Sequence, residues 1–377
     1  MPAPARGPAA LAGPDSQAHC MRRNGAVAAG PHGSLARSIA KRLTALAGGL
    51  CLGLAATACS AGAGHSPRRS AASRTSTPVS APTAHEPLTL QVTRAAYRLP
   101  AAISREVVLV RGRDLLIIGG ITQQLTTTSR IIRLDPVTGR AARAGQLADP
   151  AHDAAGAILG GRPYLFGGGD QAELAAVQAL RHRGTAAVVG QLPGPRSDLS
   201  SVILGGTVYL VGGYDGTSWI GSVLATTNGT AFTRVATLPV PVRYAAVAGV
   251  GKRIWVFGGL TPAGPSRAIQ RVNLATGKAA VVGRMPAPIS AATAVTLTGR
   301  VFIAGGQVAR DGRARLVASR AVLSYNPAGG RVTVVGRLPV AVTNAAAAVV
   351  GGTAFLVGGN NGRRQVTTVA RLRLVAG

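Results

Sequence analysis

Six short apolar segments, each ending in a pair of glycines, recur in step along this chain and limit the folds open to it. They are 115–120 (LLIIGG), 164–168 (YLFGG), 208–213 (VYLVGG), 254–259 (IWVFGG), 301–306 (VFIAGG) and 354–359 (AFLVGG). The first glycines stand at 119, 167, 212, 258, 305 and 358, a period of 45 to 53 residues. A second mark keeps phase with them: Leu-Pro or Met-Pro at 99–100, 192–193, 238–239, 285–286 and 338–339, with Leu147-Ala148 in the remaining place. Self-similarity at this period is the signature of a repeat architecture.

Between the marks each unit reads as four short strands. In the third unit these are 200–205, 207–213, 222–227 and 232–238, with Gly205-Gly206 and Asn228-Gly229 at positions where tight turns need φ > 0. Hydrophobic residues make up 47% of the chain but aromatics only 3%, and 51 residues are glycine. That composition suits many short Val- and Ala-rich strands. A four-stranded sheet cannot bury both faces alone; packed radially against its copies, it can. Residues 88–377 are therefore predicted to be all-β, a six-bladed β-propeller of four-stranded antiparallel blades. The last unit has strands at 345–350, 354–357 and 366–374 and then stops one strand short. Residues 88–100 end in Leu-Pro, as fourth strands do elsewhere, and are expected to pair with the last blade and close the ring.

The first 59 residues read as an address. Arg37, Lys41 and Arg42 precede an uncharged Leu/Ala-rich stretch, 43–58, of signal-peptide length and too short for a membrane span. It runs into Ala56-Thr57-Ala58-Cys59-Ser60, which resembles a bacterial lipobox with Ala56 where Leu is preferred. Cys59 is the expected lipidation site; cleavage after Ala58 or Ala61 by an ordinary signal peptidase is the alternative. Met21-Arg22-Arg23 reads as a second candidate start. Residues 60–87, rich in Ser, Ala, Pro, Thr and Arg, form a flexible spacer. The expectation is a monomeric, extracytoplasmic cell-envelope protein, lipid-anchored to the outer face of the cytoplasmic membrane. Cys20, Cys51 and Cys59 are the only cysteines, so the repeat region has neither a disulfide nor a cysteine metal site, and no metal or cofactor is expected.

Lys+Arg number 41 against 12 Asp+Glu, a balance that ordinarily points to an anionic partner. Only Lys41, Lys252 and Lys278 are lysines, however, and Ala, Gly, Pro and Arg run high together. That mixture favours coding composition over a selected polyanion face. Without a dense basic run interleaved with aromatics, nucleic acid is not an expected partner.

The six in-phase units resemble Kelch repeats over about 280 residues. The set departs from the family pattern: only Tyr325 matches its third-strand tyrosine, and the fourth strands carry Val or Ala where tryptophan is usual. The resemblance implies a propeller in which the second-to-third-strand loops and the blade-to-blade connections share one face, with the innermost strands lining a channel. Counting from the proline mark, the fourth and fifth positions then ring the channel mouth: Ser104 and Arg105, His152 and Asp153, Ser197 and Asp198, Arg243 and Tyr244, Ser290 and Ala291, Thr343 and Asn344.

One sector is unusual. His152, Asp153, Asp170, Glu173, Ser197, Asp198 and Asp215 all map to this face on the second and third blades, with Arg196, Arg243, Tyr244, Tyr214 and Trp219 near them. The candidate ligand site is Asp153, Asp198, Arg243, Tyr244, Tyr214, Asp215, Trp219 and His152. Carboxylates, an arginine fork and flat rings suit a polyhydroxylated or zwitterionic ligand. For Tyr214-Asp215-Gly216-Thr217-Ser218 a simple Asp-Gly turn is the competing reading.

Three functions stay open. The leading one is an envelope-anchored binding module for a glycan or an envelope protein. A second is a carbohydrate-active enzyme: sialic-acid mutarotases resemble this chain as exported Kelch propellers, and Asp153 or Asp198 with His152 would supply the acid–base group. A third is a structural subunit of an envelope complex. Galactose-oxidase chemistry is excluded, because its copper site and tyrosine–cysteine crosslink need a cysteine and more than the two histidines, His152 and His182, of this region. The loop 307–319 adds Arg310, Arg313 and Arg315 and is expected to be solvated.

Overall fold

The computed structural model describes residues 88–181, 184–309 and 315–377. The predicted signal region, Cys59 and the spacer lie outside the described residues.

The described chain is all-β, and its strands build a six-bladed β-propeller. Blade 1 is Val107–Arg111, Asp114–Ile118, Arg130–Leu134 and Ala141–Gln146, joined antiparallel in that order. Blades 2 to 5 repeat the arrangement, their innermost strands being Ala155–Leu159, Ser200–Leu204, Ala246–Val250 and Ile289–Leu297. In blade 3 the strands run Ser200–Leu204, Thr207–Val211, Ser222–Thr226 and Thr233–Thr237, within two residues of the bounds expected from the repeat.

Blade 6 takes three strands from the C-terminus, Ala346–Val350, Thr353–Val357 and Val366–Ala376, and its fourth from the start of the domain, Leu88–Ser104. Leu88 lies opposite Ala376 and Arg94 opposite Ala370, so the two ends of the domain are zipped together. The closing strand is longer than the predicted 88–100. Its last residues, Ile103 and Ser104, pair with Thr122 and Ile121 of blade 1, so one strand ties the last blade to the first.

Apolar side chains fill the gaps between blades rather than one central core. One cluster joins Val107, Leu116 and Ile131 of blade 1 to Leu165 and Leu180 of blade 2. Equivalent clusters bridge every other neighbouring pair, including Ile117 and Phe355 across the closure. In blade 5, the Tyr325 ring packs at a steep angle against Trp255 and Phe257 from blade 4, with ring centres 5.0 Å and 5.1 Å away. Buried Gln178 grips the backbone of Asp149 with both amide atoms, and Gln270 grips Val240 in the same way, locking consecutive blades.

The double glycine has a steric cause. A Cβ on Gly119 would fall 2.3 Å from the carbonyl oxygen of Ala151 at the start of blade 2, while the next amide, Gly120 N–H, donates to that same oxygen at 2.8 Å. Only a residue without a side chain allows this approach at φ +64°. In blade 5 the expected loop 307–319 is instead a long hairpin, with strands running to Ala309 and resuming at Leu316.

Candidate functional site

The fifth position of each blade turns the chain into the innermost strand, and all six of those residues adopt left-handed backbone: Arg105, Asp153, Asp198, Tyr244, Ala291 and Asn344 have φ between +52° and +60°. This conformation aims each N–H at the carbonyl of its neighbour. Arg105 N–H donates to Asn344, Asp153 to Arg105, Asp198 to Asp153, Tyr244 to Asp198, Ala291 to Tyr244 and Asn344 to Ala291, all at 2.8–3.0 Å. A closed hydrogen-bonded ring of backbone therefore frames the channel mouth. Below it the channel walls are Ala154, Ala155, Gly156, Ala245, Ala246 and Ala345–Ala347, with Ser200, Ser201 and Thr293, and these small residues leave a cavity of about 220 Å³.

Four side chains of the ring meet over one side of this opening. Arg105 Nη1 lies 2.5 Å from Asp153 Oδ2 and donates to Tyr244 Oη at 2.7 Å, and Tyr244 Oη in turn reaches Asp153 Oδ2 at 3.2 Å. Arg243 Nε lies 3.3 Å from Asp198 Oδ2, close enough for an ion pair but without hydrogen-bond alignment. The Arg243 guanidinium is enclosed by aromatic faces, 4.6 Å from the Tyr214 ring, 5.2 Å from Tyr244 and 5.6 Å from Trp219. Tyr214 and Trp219 meet edge to face at 5.2 Å, so the cage is itself packed.

Burial sets the charges. Asp198 is pushed up to about 8, first by desolvation and then by the Asp153 carboxylate, which together outweigh Arg243 and Arg105. At neutral pH it holds a proton and can donate as well as accept. Desolvation also raises the Tyr244 hydroxyl well above its ordinary value. Burial opposes the charge on Arg105, but the adjacent Asp153 outweighs it and the guanidinium stays charged. His152 is lowered, mainly by burial, and is a neutral ring with Nδ1 3.0 Å from Thr127 Oγ1 and Nε2 3.8 Å from Asp153 Oδ2. Two guanidinium groups, Arg105 and Arg243, and two carboxyl groups, Asp153 and Asp198, thus share one side of the mouth.

The expected residues separate into two groups. Asp153, Asp198, Arg243, Tyr244, Tyr214, Trp219 and His152 come together. Asp215 does not join them: its Oδ1 accepts from Thr217 N–H, Ser218 N–H and the Thr217 hydroxyl at 2.7–2.9 Å, which spends it on the turn. Arg196 is likewise structural, fully buried and donating to the carbonyls of Gly212 and Ser222 at 2.6 Å each. Arg105 and Thr127 were missed as site members, although the count that placed Asp153 also places Arg105 at the mouth.

Glu106 was missed too. It falls where the other blades carry Ala154, Leu199, Ala245, Ala292 and Ala345. Both its carboxyl oxygens are buried without a hydrogen bond, wedged near Gly358 of blade 6, and desolvation raises it to about 8. The backbone amides of Glu106 and Ala346 lie near enough to oppose that rise but make no hydrogen bond to it. Among the described residues no three His, Cys, Asp or Glu side chains converge on a point that could hold a metal.

No protein-family model and no curated protein sequence matches the chain. Among solved structures it is similar to that of YjhT, with 13% identity and a TM-score of 0.66, over 74% of this chain and 99% of that one. At this identity the likeness speaks to the propeller fold alone.

Proposed function

We propose that the chain is a Kelch-type, envelope-anchored binding module whose channel mouth takes a small acidic, polyhydroxylated ligand, the terminus of a glycan. The observation that carries this reading is the Arg243 guanidinium, held between three rings beside a buried Asp198. A caged guanidinium keeps one fixed geometry and loses little freedom when a carboxylate docks on it. Arg105 offers a second charge, and Asp153, Asp198 and Tyr244 offer acceptors and donors for hydroxyl groups. Open space over the channel leaves room for part of the ligand below the ring.

A second reading is favoured by one observation: Asp198 is held protonated near neutral pH, close to Asp153. An acid and a base so placed suit sugar-ring opening, in which the acid protonates the ring oxygen as the base takes the anomeric hydroxyl proton. Both readings are tested by titrating the protein with N-acetylneuraminic acid, galacturonic acid and their neutral counterparts while following thermal stability and the anomeric NMR signals. A ligand at a hundred times its Kd stabilises the fold by about 2.7 kcal/mol. Binding of the acidic sugars alone supports the module. Accelerated anomer exchange, lost in Asp198→Asn, supports the enzyme. No shift with any of them contradicts both.

A further inference from the structure

The composition that explains the number of arginines does not explain where the acids are. Residues 88–215 carry thirteen Lys and Arg against nine Asp and Glu; residues 216–377 carry nineteen against one, Asp311. Cations are spread evenly along the domain, while acids are nearly absent from blades 4 to 6. A coding bias toward arginine would not remove aspartate from half of a ring.

At the edge of this acid-poor half the closing strand departs from its partner. Its register with Val366–Ala376 breaks between Arg94 and Arg98 and again between Arg98 and Ile103. Between the arched strand and the loop of blade 6 lies a groove of about 470 Å³. Arg94, Arg98 and Arg364 line it, all three exposed, together with Gln123, Asn361 and Thr367. No carboxylate lines it, and none of the three guanidinium groups has a hydrogen-bond or ion-pair partner among the described residues. Three like charges left facing one groove repel one another until an anion enters.

We propose that this groove is a binding site for a phosphate ester, separate from the channel mouth. Three guanidinium forks with amide and hydroxyl donors exceed what the two oxygens of a carboxylate can accept and match the three or more oxygens of a phosphoryl group. The groove is larger than the anion, so the organic part of the ester lies in it as well. The phosphate can come from a soluble ester or from a phospholipid headgroup, and the two sources are separable.

The test uses the full-length chain and its Arg94→Gln/Arg98→Gln/Arg364→Gln variant, with Arg234→Gln/Arg284→Gln/Arg331→Gln as a control that removes the same charge from exposed arginines outside the groove. Each is titrated with glycerol phosphate by calorimetry and sedimented with phosphatidylglycerol/phosphatidylcholine vesicles. Thermal denaturation checks that each variant is folded. The expected result is binding that weakens with salt and falls at least tenfold in the groove variant but less than twofold in the control. Binding of glycerol phosphate in solution identifies a soluble ester; binding of vesicles alone identifies the headgroup. Equal losses in the two variants would mean diffuse charge and no site, and either that result or no binding by the wild type overturns the proposal.

Discussion

Blades 1 to 4 and blades 5 and 6 meet the channel mouth with the same backbone and different side chains. All six ring residues sit at φ +52° to +60° and share one closed set of hydrogen bonds. In blades 5 and 6 the ring position holds Ala291 and Asn344, which make no ion pair; in blades 1 to 4 it holds Arg105, Asp153, Asp198 and Tyr244, whose side chains pack against one another or against Arg243. Left-handed backbone costs roughly 1 kcal/mol or more for residues such as Arg and Tyr, and glycine would adopt it freely. Closing the ring therefore requires the conformation but not those side chains. Where several local rules are broken at once on one side of a symmetric scaffold, the reason lies in what that side does.

The largest expected effect separates the halves by pH. Glu106 and Asp198, both in the first three blades, are raised to about 8 by burial. The folded state then favours their protonated forms. That contribution is fully present below the ordinary carboxyl range near 4 and is lost as pH rises toward 8. A tenfold difference in proton affinity between the folded and unfolded chain is worth about 1.4 kcal/mol, so thermal or denaturant melts should lose a few kcal/mol between pH 5 and pH 8.5. Glu106→Gln is expected to remove much of that slope. An unchanged slope would show that Glu106 is not sealed as described.

A smaller effect is expected from single ring substitutions. Arg105→Gln deprives the buried Asp153 of its ion partner and Tyr244 of its donor, and should cost about 2–3 kcal/mol in urea denaturation. Asn344→Ala at the matching place in blade 6 should cost under about 1 kcal/mol. Equal costs would erase the distinction between the two sides. The smallest effect has the opposite sign. Ala291→Gly relieves the left-handed strain at the loss of one buried methyl group and should leave the domain unchanged or up to about 1 kcal/mol more stable.

Much of the fold was legible because its cause is local and repeated. Each blade must pass a carbonyl across the first glycine of the pair, so Gly119 and its five counterparts could not vary, and counting from them placed the strands within two residues in blade 3. The same count put Arg105 and Asp153 at the mouth. It could not say that Arg105 folds onto Tyr244, because that contact spans 139 residues of chain. Asp215 sits one residue from Tyr214 yet belongs to the turn, since its side chain is captured by the amides just after it. Residues 307–309 and 316–319 were misread as loop because these two apolar runs are too short to show the alternation that marks a half-buried strand. The uneven placement of acids was visible in the sequence, but only the ring makes residues 216–377 into one side of a surface.

The central claim is that the mouth over blades 1 to 4 is the ligand site, and the most direct measurement is the affinity of Asp198→Ala and Asn344→Ala for the acidic sugar that stabilises the wild type. Both changes fall on the same ring and keep its backbone hydrogen bonds. The account predicts at least a tenfold loss for Asp198→Ala, which removes the carboxyl group beside Arg243, and less than twofold for Asn344→Ala. Equal losses in the two variants, or none in either, would contradict it.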